Sequence, residues 1–102
     1  MNRVQVFEKQ LRNMLDLYKS KNEDYGNSFS KSFEEYGLTS PIIRLSDKLE
    51  RLKSLNDKDY AQVEESIEDT LVDLANYAVM TLVEIEYTEK LDQIGFLTDY
   101  EK

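Results

Sequence analysis

Two stretches of this sequence place carboxylates at helical spacing. Asp47 and Glu50 lie three apart in "RLSDKLER", and Asp69 and Asp73 lie four apart in "ESIEDTLVDLANYAVM". Residues three or four apart share a helix face. Two such helices side by side would bring the acids together into an oxygen cage of the kind Mg²⁺ takes, with waters and substrate phosphates completing its octahedron; Mn²⁺ would fit the same donors. A plainer arrangement stays open, in which Asp47 pairs with Arg44 or Arg51 and Asp69 is simply solvated.

Asp73 bears most on this choice. From Thr70 to Val83 the sequence is apolar nearly all round a helical wheel, and such helices are covered on most faces. Asp73 is therefore expected to be at least half-buried. A buried carboxylate is costly unless it meets a cation or a metal ion or takes up a proton. Its candidate partners are Mg²⁺, Arg44 and Arg51, with Asn76 one turn on to bond a ligand or orient a carboxylate.

The segment "KNEDYGNSF" is a second candidate. As a substrate lid it would offer Lys21 to a phosphate, Asp24 as an orienting group and Tyr25 for stacking beside the permissive Gly26. As an ordinary helix end, Lys19 and Lys21 would complement the dipole and Gly26 would turn the chain. Tyr60, Tyr77 and Tyr87 read as core or interface residues. The chain has no cysteine and no histidine, which removes thiol chemistry, Cys-type zinc sites and the commonest general base.

Helices must carry these residues. With one proline, Pro41, and three glycines in 102 residues, the chain has few breakers. Val4, Phe7, Leu11, Met14, Leu15 and Tyr18 recur at steps of three and four and predict a helix from about residue 2 to 22. The stretch from residue 22 to 40 reads as a long loop, with a short helical turn near "KSFEEY". Ser40 as cap and Pro41 at the first position start a second helix, whose stripe is Ile42, Leu45, Leu49 and Leu52. Asp59 can cap a third helix running to about Gln93, with Gly95 ending it. The tail "FLTDYEK" docks through Phe96 or frays. A third helix of about 30 residues would span ~45 Å, longer than a compact chain of this size accommodates, so either it breaks near "YTEK" or its far half, with Val79, Leu82, Val83, Ile85 and Tyr87, packs against another subunit, the preferred reading. The expected fold is an all-α bundle of three main helices, one domain, completed by oligomerisation.

A formal charge of −8 repels nucleic-acid backbone and argues against duplex binding. No apolar run approaches a membrane span or a signal-peptide core, so the reading is a cytoplasmic protein. An acidic DNA mimic is a further class, and it would need exposed carboxylates spaced like phosphates.

Taken in order, "KNEDYGNSF", "YGL", "IRLSDKLERLKSL" and "ESIEDTLVDLANYAVM" resemble the first of the nucleotide-modification-associated domains, small proteins of phages and bacteria. The resemblance covers residues 19 to 81. That family is similar in turn to the all-α nucleoside triphosphate pyrophosphatases, which include MazG-like enzymes and dimeric dUTPases. The resemblance implies a helical bundle, homodimeric or homotetrameric, holding Mg²⁺ on acids from two helices and cleaving a nucleoside triphosphate between its α and β phosphates. The superfamily pattern is Glu-x-x-Glu and Glu-x-x-Asp. Here the first becomes Asp47-x-x-Glu50, while the second departs, with Glu65, Asp69 and Asp73 spaced by four and Glu65-Ser-Ile-Glu68 beside them. On this reading Asp47, Glu50, Asp69 and Asp73 hold metal, and Glu65 or Glu68 supports it or activates water. Lys21, Arg44 or Arg51 neutralises the departing pyrophosphate. The alternative is a module that binds a nucleotide, modified or ordinary, without turning it over, and the irregular second acid motif favours it.

Overall fold

The computed structural model describes residues 1–25, 27–57 and 60–95, apart from the side chains of residues 23–25, 60–66 and 90–95. Helix α1 spans Arg3–Tyr25. It starts on a reciprocal cap: the Asn2 N–H donates to Gln5 Oε1 at 2.8 Å, and the Gln5 N–H donates to Asn2 Oδ1 at 2.9 Å. Two N–H groups that the first turn cannot satisfy internally are thereby bonded.

The described residues form four helices, not three main ones. The stretch expected to be a loop with a short helical turn near "KSFEEY" holds a full helix, α2, Ser28–Tyr36. Phe29 and Phe33, one turn apart, face inward, and Phe29 is buried. Nine residues are too few to display a sustained repeat among serines and acids, so packing rather than periodicity defines this helix. It ends at Gly37, whose N–H donates to the Phe33 carbonyl at 2.8 Å and whose φ of 64° lies in the region glycine enters without a Cβ penalty.

Helix α3 spans Thr39–Asn56, starting a residue before the expected Ser40 cap. The turn at Gly37 supplies the acceptors instead. Ser40 N–H donates to the Gly37 carbonyl and Ile42 N–H to that of Leu38, while Pro41, which has no N–H to satisfy, is buried in the first turn. Helix α4 spans Tyr60–Gly95, close to the expected bounds; the expected Asp59 cap and the Phe96 contact lie outside the described residues.

The most extensive packing joins α3 to α4; α2 rests on α3, and α1 leans on α4 more lightly. On α3 the inward stripe is Pro41, Leu45, Lys48, Leu52 and Leu55, at steps of four, three, four and three. The stripe expected from apolar residues alone was displaced, because Ile42 and Leu49 are exposed while Lys48 takes an inner position. Four described side chains are buried: Phe29, Pro41, Leu55 and Thr70. The apolar face of α1 (Val4, Phe7, Leu11 and Leu15) and Val79 and Leu82 of α4 are exposed.

With 36 residues, α4 is ~54 Å long. It sets the 56 Å long dimension of the molecule and a radius of gyration of 16.8 Å, against about 13 Å for a compact chain of this length.

Candidate functional site

Where α1, α2, α3 and α4 come together they enclose a half-open cavity of about 330 Å³, at the small end of ligand pockets. Asp73 lies on its α4 wall. Its side chain is 23% exposed, and its two oxygens are bonded separately: Oδ1 to Lys21 Nζ of α1 at 3.2 Å and Oδ2 to Lys48 Nζ of α3 at 2.9 Å. Burial pushes the Asp73 carboxyl up, but the hydrogen bonds and charges of Lys48 and Lys21 outweigh it and hold the group below its ordinary value. At neutral pH Asp73 is thus an anion between two ammonium groups. The cation its burial demands comes from lysines, not from Arg44 or Arg51.

Arg44, one turn before Lys48, is fixed differently. Its guanidinium carbon lies 5.5 Å from the centre of the Phe29 ring and 5.6 Å from that of Tyr77. Those rings are near parallel, 6.0 Å apart between centres. Cation–π attraction at these distances holds a charge in place without neutralising it. Asn76 Nδ2 donates to the Met14 carbonyl at 3.5 Å, so this amide ties α4 to the middle of α1. On the far side Ser30 of α2 donates to Glu84 of α4.

Of the residues singled out from sequence, Lys21, Arg44, Asp73 and Asn76 line this cavity. Asp47, Glu50, Arg51, Glu68 and Asp69 are exposed and do not. Glu50 lies opposite the buried stripe of α3 and bonds Lys53 at 3.1 Å. The side chains of Asp24, Tyr25 and Glu65 lie outside the described residues. Sequence reasoning missed Lys48, together with Tyr18, Asn22, Ser28, Phe29, Tyr77 and Met80 as cavity residues. For Lys48 a signal existed: it continues the strict stripe from Pro41 to Leu55.

Among the described residues no three acidic side chains gather as a metal cage, and both Asp73 oxygens face ammonium groups. What the cavity offers is positive charge on fixed and flexible arms, beside aromatic and amide surface.

Residues 21–85, which carry all four walls apart from Tyr18, match the family described as nucleotide modification associated domain 1. The chain belongs to that family. No curated protein and no solved structure matches it. The wider likeness drawn from the sequence, to MazG-like enzymes and dimeric dUTPases, is corrected accordingly: the match is to nucleotide modification associated domain 1, and nothing extends it to those enzymes. Among the described residues of this family member, no helix is long and apolar enough to cross a membrane.

Proposed function

We propose that this member of the nucleotide modification associated domain 1 family is a nucleotide-binding module that serves nucleotide or DNA-base modification without itself performing hydrolysis. One observation carries the reading: Lys21, Arg44 and Lys48, from two helices, converge on a cavity in a chain whose net charge is −8. Cations gathered against the overall charge mark where an anion is welcome. The phosphate would meet Lys21 and Lys48 first, with Arg44 held ready by Phe29 and Tyr77, and the nucleoside would lie along the aromatic and amide side.

The competing reading is Mg²⁺-dependent pyrophosphohydrolysis on Asp47, Glu50, Asp69 and Asp73, with Glu65 or Glu68 activating water. It needs those acids together. Asp47, Glu50 and Asp69 are exposed, and Asp73 is engaged by lysines. The DNA-mimic reading has exposed acids in its favour but leaves the cationic cavity without a role.

Assembly is part of the proposal. Permanent homodimers bury about 2,000–5,000 Å² in total. The exposed faces of α1 and α4 are apolar enough to supply that interface, giving a homodimer or homotetramer working in the cytoplasm.

The test combines binding with product analysis. Canonical and modified nucleotides are incubated with the protein and Mg²⁺ or Mn²⁺, its melting is followed, and the mixture is separated by chromatography. Stabilisation by nucleotide with the nucleotide recovered intact is expected. Release of pyrophosphate would replace this reading with the hydrolytic one.

A further inference from the structure

Resting on the nucleotide-binding reading, we infer that the ligand class of this cavity is a nucleoside monophosphate, taken up without a metal ion. The charges facing the cavity decide between phosphate chain lengths. Among the described side chains that line it, Lys21, Arg44 and Lys48 are cationic and Asp73 is the one acid, a surplus of two positive charges. A phosphate monoester carries about −1.5 to −2 at pH 7, with its second pKa near 6. It neutralises that surplus. A free triphosphate carries about twice as much charge and would leave the cavity negative inside a chain already at −8.

A triphosphate could shed the excess by bringing Mg²⁺. Mg²⁺ in such sites is held by one or two protein carboxylates together with substrate phosphates. The one carboxylate among the described residues that line this cavity has Oδ1 on Lys21 at 3.2 Å and Oδ2 on Lys48 at 2.9 Å. A divalent cation placed there would stand against two ammonium groups. For a monophosphate the same arrangement is an advantage. Asp73 holds both lysine arms over the cavity in the absence of ligand, so little ordering remains to be done when the phosphate arrives. Lys21, with its side chain 47% exposed, is the freer arm, and Lys48, at 26%, the fixed one.

Size points the same way. About 330 Å³ is near the lower limit for a small-molecule pocket, suited to one phosphate and one nucleoside. Arg44 is already placed by its two rings and is free to bond phosphate, since no carboxylate among the described residues pairs with it.

The experiment is calorimetric titration of the full chain, in EDTA and separately in Mg²⁺, with the four deoxynucleoside monophosphates, their triphosphates, the parent nucleosides and inorganic phosphate. At least one monophosphate should bind in EDTA, tenfold or more tighter than its triphosphate under either condition, its nucleoside or inorganic phosphate. Lys48→Gln and, independently, the more exposed Lys21→Gln should each weaken it tenfold or more while circular dichroism shows the helices intact. Tighter binding of a triphosphate with Mg²⁺ would overturn the monophosphate inference and leave the nucleotide-binding reading standing. Inorganic phosphate binding as tightly as every monophosphate would overturn the inference by removing the nucleoside from recognition. No binding by any nucleotide would overturn both.

Discussion

Replacing Asp73 by asparagine keeps the shape of the side chain and removes the charge that joins three helices. In the wild type its two oxygens bond Lys21 at 3.2 Å and Lys48 at 2.9 Å, with Asp73 itself 23% exposed. The Lys21 pair is half open to water, and exposed pairs contribute ~0.2–1 kcal/mol. The Lys48 pair is better covered, and hydrogen bonds to charged groups contribute ~1.5–3 kcal/mol. Asparagine retains one acceptor, which returns part of this. The net loss is about 1–2 kcal/mol, below the ~3–5 kcal/mol of a fully buried broken pair. For a domain of this size that lowers Tm by roughly 4–16 °C. The pH dependence has a definite sign. The folded Asp73 carboxyl lies below its ordinary value of 3.8, so its contribution is complete above pH ~4 and is lost as pH falls through the lower folded value. Melting of both proteins at matched concentration, from pH 7 to pH 3, reads this directly. A difference of about 1–2 kcal/mol at pH 7 that shrinks below pH 4 is expected. Equal stability at pH 7, or a difference unchanged at pH 3, would refute the assignment of Asp73 as the charged link between α1 and α3.

Other consequences can be measured on the same protein. Gly37→Ala should cost about 1–3 kcal/mol in chemical denaturation, because φ 64° with ψ −147° is a backbone region nearly confined to glycine and no atom lies within 4 Å of the added Cβ, leaving backbone strain as the whole effect. Asp47→Asn and Glu50→Gln, both exposed and outside the cavity, should change stability by no more than ~0.5 kcal/mol and leave nucleotide affinity unaltered; a large loss of nucleotide affinity would revive the acid cage. Phe7→Asp with Leu11→Asp, on the exposed face of α1, should shift the species seen by light scattering to the monomer, and an unchanged oligomer would place the interface elsewhere.

Much of this fold follows from periodicity, and the exceptions have physical causes. Helices α1 and α3 were legible because each sustains a 3.6-residue repeat over several turns, and α4 because its long run meets no glycine or proline before Gly95. Of α2 only the turn near "KSFEEY" was legible, since the full helix rests on Phe29 meeting Arg44 of α3 and Tyr77 of α4, a tertiary event that nine residues do not announce. That Asp73 needed a cation was legible from the greasy surroundings between Thr70 and Val83. Which cation was not, because an apolar ranking turns Leu49 inward and Lys48 outward, and the structure does the reverse: Lys48 is inward to meet Asp73. The acids Asp47 and Glu50 share a face as their spacing required, but that face points to water. Spacing sets which residues lie together and leaves open what they lie against. The same holds for Val4, Phe7, Leu11 and Leu15, a correctly read stripe that within one chain is left exposed.

The most direct measurement is a crystal structure of the protein with a nucleotide and Mg²⁺ both supplied. The account predicts an intact nucleotide in the cavity, its phosphate oxygens within hydrogen-bond reach of Lys21 Nζ, Lys48 Nζ and the Arg44 guanidinium, and no metal ion on Asp47, Glu50 or Asp69. A phosphate chain bridged by Mg²⁺ to those acids, with Lys48 turned away, would contradict it.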